Sequence, residues 1–314
     1  MTERYSIRTM IDDDLVEVLE VMRLSLGESE VNQRNTDLFS WKHFDNPFGR
    51  SIILVADAGG TIAGLRAFMR WNLATPEGDV VRCVRPVDTA THPDFRRMGI
   101  FQNLTQAALE EARADGVDLV FNTPNAESGA GYRKMGWKDV QPIGALVRPK
   151  RPWRAKVEGS ADRSSFIPGG IDPQPLDTPD RPAHGLRTTR TTEYRRWRFV
   201  DHPTAGYRMV RHAGGAAMLR PNIRNGRQEV VVSELIGDIG TAPFRWASRA
   251  ADSHYLVTWF SAGAPERKAA LTAGFAPVPG LTALTQVALP LRELDRDVFD
   301  AANWDLATGD LELL

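Results

Sequence analysis

Trp41-x-x-x-Asp45-x-Pro47 returns later in the chain as Trp197-x-x-x-Asp201-x-Pro203, and that repetition limits what the sequence can become. Two further pairs follow in the same order. Ala58-Gly59-Gly60 returns as Ala213-Gly214-Gly215, and Leu65-Arg66 with Arg70 returns as Leu219-Arg220 with Arg224. Matches that keep both order and spacing indicate an internal duplication rather than coincidence among common residues. Met135-Gly136-Trp137 against Ala273-Gly274-Phe275 extends the pattern. A chain of 314 residues has room for two such units. The stretch from about residue 142 to 182 is rich in Pro, Gly, Ser and charge, as a connection would be. The expected division is 1–150, a linker over 151–185, and a second copy over 186–314.

Within the first copy, strand and helix signals alternate. Residues 5–8 form a short strand. Asp12, Asp13 or Asp14 then caps a helix whose Leu15, Val18, Leu19, Met22 and Leu26 share a face, with Gly27 as its stop. Residues 51–56 and 61–71 flank Ala58-Gly59-Gly60 as a hairpin, and residues 80–91 make another strand, with a bulge expected at Pro86. A helix over 101–115 turns Phe101, Leu104, Ala108 and Leu109 inward and stops at Gly116. A buried strand over 117–122 and a helical stretch over 126–134 complete the unit. This order implies an α/β or α+β layer fold.

Composition excludes several classes. Basic and acidic residues nearly cancel, to a formal charge of −1, which argues against a nucleic-acid partner. The single cysteine, Cys83, rules out an intramolecular disulfide framework, and the scattered histidines offer no metal-ligand spacing. The first residues are too polar for a signal peptide and no long apolar run suggests a membrane span, so a cytoplasmic protein is expected.

The chemistry concentrates where the 80–91 strand ends, in Asp88-Thr-Ala-Thr-His-Pro-Asp-Phe-Arg-Arg-Met-Gly-Ile-Phe101. A strand running through an Arg- and Gly-bearing loop into a helix N-terminus makes an anion site. The backbone N–H groups of Arg97, Met98, Gly99, Ile100, Phe101 and Gln102 can converge there, aided by the helix dipole. Arg96 and Arg97 add charge-assisted donors, and Gly99 permits close approach.

This segment resembles the pyrophosphate loop of the GCN5-related N-acetyltransferases (GNAT), Gln/Arg-x-x-Gly-x-Gly/Ala. Arg96 and Gly99 fill the first two named positions; Phe101 departs from the third, so its side chain must turn into the core or the cofactor must sit farther out. Asn125 through Tyr132-x-x-x-Gly136-Trp137 is similar to the family's Asn…Tyr-x-x-x-Gly-Phe stretch, with Trp for Phe.

The resemblance implies two GNAT-like domains, each a mixed sheet flanked by helices. It also implies transfer of an acetyl group from acetyl-CoA to a primary amine, on an amino sugar or metabolite, by direct attack. Thr89, Ala90 and Thr91 would face the pantetheine arm, Asn125 would bind near it or at the helix end, and Tyr132 would protonate the leaving thiolate. Asp88 is the first candidate for the general base, against the simpler account of a carboxylate paired with Arg66, Arg70 or Arg85. Glu127, His43, Asp45 and the terminal carboxylate of Leu314 stand behind it. Arg66, Arg70 and Trp41 are candidates for the acceptor site; solvated surface charge is the plainer account of the arginines. The second copy lacks the phosphate loop, and the place of Tyr132 falls near Ala270, so it would bind no CoA. The rival readings are an inactive CoA-binding or structural module and an aminoacyl-tRNA-dependent transferase.

Overall fold

The computed structural model describes residues 5–28, 33–150, 167, 169–278 and 284–311. Leu314, the side chain of Glu127 and much of the expected linker lie outside the described residues. In chain order the first half contributes β1 (Ser6–Thr9), α1 (Leu15–Leu26), α2 (Thr36–His43), β2 (Ile52–Asp57), β3 (Ile62–Ala74) and β4 (Val80–Thr91). It continues with α3 (Ile100–Ala114), β5 (Leu119–Asn122), α4 (Ala126–Lys134), β6 (Lys138–Ile143) and β7 (Ala145–Pro149). The second half begins with β8 (Arg187–Thr188), α5 (Thr192–Arg195), a π-helical turn (Arg196–Val200), β9 (Arg208–His212), β10 (Gly215–Arg224) and β11 (Arg227–Gly237). After these come α6 (Thr241–Ala250), β12 (Tyr255–Trp259), α7 (Pro265–Thr272), β13 (Ala276–Pro277), β14 (Leu284–Pro290) and α8 (Thr308–Leu311).

Two mixed sheets result, flanked by helices. An eight-stranded sheet runs β1-β2-β3-β4-β5-β14-β6, with β8 beside β3; a six-stranded sheet runs β13-β7-β12-β11-β10-β9. The strand pattern explains the layering. Along β3, Leu65, Ala67, Met69, Trp71 and Leu73 join the apolar cluster with α1 and α2, whereas Ala63 and Phe68 join the one with α3 and α4. The first cluster runs on into Tyr194, Trp197, Val231, Val257 and Trp304, so one core spans both halves.

The repeated residues occupy matching places. Ala58-Gly59-Gly60 turns the β2–β3 hairpin as Ala213-Gly214-Gly215 turns β9–β10. Trp137 N–H donates to the Tyr132 carbonyl at 3.2 Å, and Phe275 N–H to the Ala270 carbonyl at 3.1 Å. Gly136 and Gly274, at φ 99° and 91°, take the left-handed turn that closes each helix.

The halves also trade strands. β14, from the second half, lies between β5 and β6, pairing Ala288 with Phe121 and Lys138. In return β7, from the first half, pairs with β12 and β13, with Val147 opposite Val257 and Ala276. A cut at residue 150 therefore separates the sequence without separating the sheets.

Candidate active site

The site is set by where β4 lets go of its neighbours. Its parallel pairing with β5 is confined to Cys83↔Leu119 and Val84↔Val120, after which the strands share no ladder. On its other side the register against β3 slips between Leu65 and Ala67. Asp88 sits in this bulge at φ 42°, a left-handed conformation few non-glycine residues adopt. The bulge expected at Pro86 is thus two residues on; Pro86 keeps its place opposite Phe68. Beyond the bulge Ala90 pairs with Leu65 and Thr91 with Gly64.

The chain then makes a turn over Pro93–Phe95, with the His92 ring accepting from Asp94 N–H at 3.3 Å, which fits a structural role. Arg97 and Gly99 both take left-handed φ, 64° and 78°, and α3 starts at Ile100. Among the described residues no backbone carbonyl accepts from the N–H groups of residues 97–102. Arg96, Arg97 and Gln102 are exposed, Met98 and Phe101 half-buried, Ile100 buried. These N–H groups form a cluster of donors at a helix N-terminus, a place where an anion is favoured. Asn125 sits at the start of α4, where its side chain accepts from Ser128 N–H at 2.8 Å and caps the helix.

Tyr132, on α4, is buried among Phe101, Trp137 and Arg66. Phe101 resolves its own departure from the loop pattern by turning inward. Its ring packs on Gly131, where any Cβ would come within 2.7 Å. Arg66, fully buried, is the unexpected occupant. Its Cζ lies 5.1 Å from the Phe68 ring, 5.2 Å from Phe101 and 5.1 Å from Tyr132, and Nη1 donates to Thr89 Oγ1. Burial pushes its pKa down, opposed by Tyr132.

The other expected acceptor residues do not join it. Arg70 lies farther along β3, held by Asp115 and by the Arg50 carbonyl at 2.8 Å. Trp41 belongs to the cluster on the opposite face, where it lines an open groove of about 880 Å³ with Asp45, Arg196, Trp197 and Asp201. The base role expected for Asp88 meets a physical obstacle. Its carboxylate takes Lys42 Nζ at 2.9 Å, His43 Nε2 at 3.0 Å and Arg34 Nη1 at 3.3 Å. Burial alone would raise its pKa, but Lys42, His43 and Arg34 outweigh it and hold the group far below the carboxylate range. Such a carboxylate is a poor proton acceptor. It is paired, as the simpler account held, but with α2 and Arg34 rather than with Arg66, Arg70 or Arg85. Sequence reading passed over Lys42 and Arg34; the available signal was Lys42-His43, two polar residues directly after the repeated Trp41.

Comparison with known proteins agrees with this geometry. A family model described as an acetyltransferase (GNAT) domain matches residues 6–140. Among solved structures, the chain is similar to a GCN5-related N-acetyltransferase from Anabaena variabilis, with TM-score 0.62 and 10% identity over 91% of this chain and 72% of that one. A GCN5-related N-acetyltransferase from Kribbella flavida gives TM-score 0.57 and 13% identity over 91% and 71%. A conserved protein of unknown function from Enterococcus faecalis gives 0.60 and 13% over 91% and 72%. No curated protein matches the sequence. At these identities the structures speak for the fold alone, and the family match speaks for the first half. Residues 6–140 match the GNAT acetyltransferase domain, and over most of its length the chain shares the fold of the similar N-acetyltransferases.

Proposed function

We propose that the chain transfers an acyl group, acetyl in the simplest case, from a CoA thioester to the primary amine of a small molecule. The observation that carries this reading is the course of β4, which parts from β5, bulges at Asp88 and ends in the donor-rich loop before α3. A bound thioester supplies the activated acyl carbon. The loop N–H groups with Arg96 and Arg97 bind its phosphates, and the free edge of β4 at residues 89–91 receives the pantetheine amides. The amine lone pair forms the C–N bond while the C–S bond breaks and its electron pair leaves on sulfur. Tyr132 gives its phenolic proton to that sulfur, the proton lost by the new ammonium passes to solvent, and solvent returns one to Tyr132. Alignment of amine and thioester supplies much of the rate.

In this reading Asp88 is a positioning residue that fixes the bulge to α2. The second half is a degenerate copy without a phosphate loop; it completes the first sheet through β14. A small-molecule acceptor suits the near-neutral charge, and a cytoplasmic setting suits a chain whose single cysteine is free. Calorimetric titration with acetyl-CoA tests the proposal. Binding in the micromolar range, abolished in Arg96→Ala/Gly99→Glu, is the expected result. A wild-type protein that binds neither acetyl-CoA nor CoA overturns it.

A further inference from the structure

Arg66 has a feature that acetyl transfer does not use. It is fully buried, and among the described residues its Nε and Nη2 have no hydrogen-bond partner, while Nη1 is held by Thr89 Oγ1. Nε and Nη2 are the two donors on one edge of the guanidinium, whose N–H bonds run parallel. The unused part of Arg66 is therefore a complete bidentate fork, matched to the two oxygens of a carboxylate. Its place is also specific. Thr89 belongs to the β4 bulge and the Tyr132 ring lies 5.1 Å from Cζ, so the cation touches both groups that the acyl-transfer reading places beside the thioester.

Energetics favour an anionic ligand over a purely structural cage. Three aromatic faces soften the cost of burying a guanidinium and the Tyr132 hydroxyl interacts with it favourably, but neither Nε nor Nη2 has an acceptor in place. No carboxylate is within ion-pair distance of Arg66 among the described residues. A buried cation with two idle donors is costly, and a plain acetyl group would leave it so. An acyl chain ending in a carboxylate would occupy the fork.

We infer that Arg66 is a specificity-determining residue for the donor, and that the preferred donor is a short dicarboxylic acyl-CoA, its terminal carboxylate bound side-on by Nε and Nη2. The inference rests on the acyl-CoA reading above and narrows it.

The test is calorimetric titration of CoA, acetyl-CoA and succinyl-CoA into the full chain, its Arg66→Met variant and its Arg66→Lys variant, with circular dichroism as the folding check. The expected result is that the wild type binds succinyl-CoA about tenfold or more tightly than acetyl-CoA, in line with one charge-assisted fork. Arg66→Met should erase that difference, and Arg66→Lys should retain part of it. If acetyl-CoA binds the wild type as tightly as succinyl-CoA, the inference is overturned and Arg66 is a structural cation in an aromatic cage; this arm stands even if Arg66→Met does not fold. A wild type that binds succinyl-CoA more tightly but keeps the difference in both variants also overturns it, since the preference then lies elsewhere. Failure of all three ligands to bind the wild type removes the acyl-CoA reading itself, a distinct outcome.

Discussion

Trp41 and Trp197 stack with ring centroids 4.6 Å apart and planes within 10°, and each indole N–H donates at 2.7 Å to the other residue's carbonyl. Two residues brought together from matching places in the sequence thus form a reciprocal clasp between the halves, where the joint core meets the groove. Either change, Trp41→Ala or Trp197→Ala, is expected to cost about 3–5 kcal/mol through the cavity left behind. The double variant should cost less than the sum, because each single change already strips the partner's carbonyl of its indole donor and the partner's ring of its stacking face. Urea denaturation of the four proteins measures this; strict additivity would show that the clasp is not an energetic unit.

The exchange of β7 and β14 predicts that neither half is a folding unit. Residues 1–150 alone lack the strand between β5 and β6 and carry an unpaired β7, an exposed edge of the kind that promotes association. We expect this fragment to be poorly soluble by itself and to be recovered in soluble form when co-expressed with residues 151–314. A soluble, monomeric 1–150 fragment with a cooperative thermal transition would contradict this.

Acid should weaken the fold through two buried histidines. Burial lowers the pKa of His43 despite its bond to Asp88. Burial, with Arg198, Lys42 and Arg220 nearby, pushes His202 down to about 2. Both folded values lie below the unfolded one of about 6.5, so the unfolded chain binds more protons once the pH drops below that value. Stability from this source is complete above about pH 6.5 and falls by up to ~1.4 kcal/mol per pH unit for each histidine below it. His202→Asn imports the residue at the matching place, Asn46, and should flatten the urea midpoint against pH between about 6 and 4.5.

Asp88→Asn separates a positioning role from a base role. Removing the charge leaves Lys42 and Arg34 facing each other beside a neutral amide, at a cost of about 3–5 kcal/mol. Thermal melting should register that loss. With a working amine and donor in hand, the acid limb of kcat/KM against pH should keep its midpoint in the surviving activity, because a carboxylate held so far below its ordinary range does not titrate there. Disappearance of the limb would return Asp88 to the base role.

The sequence announced what local chemistry decides. The limits of β4, the Gly27 stop after α1 and the Gly116 stop after α3 follow from periodicity and capping, and the loop before α3 from Arg and Gly at a strand–helix junction. Other features depend on distant chain. Nothing in residues 145–149 or 284–290 says which sheet each will enter, since both read as ordinary buried strands. Arg66 and Arg70 read alike by pleat, yet one is entombed beside Tyr132 and the other bound near the surface to Asp115; α3 and α4 cover only the first. The fate of Asp88 was hidden because its partners come from α2 and Arg34, far back along the chain.

The strand exchange gives residues 284–290 of the second half a place in the first sheet. Val287 of β14 packs in the same cluster as Tyr132 and Trp137, and Ala288 bonds into the strand that ends at Asn122. On the acyl-transfer reading proposed above, selection on the first half therefore reaches these distant positions directly, through the shape of the sheet under α4. On the tandem reading, a duplicate that had merely been tethered could decay; one that has lent a strand to its twin inherits the twin's constraints.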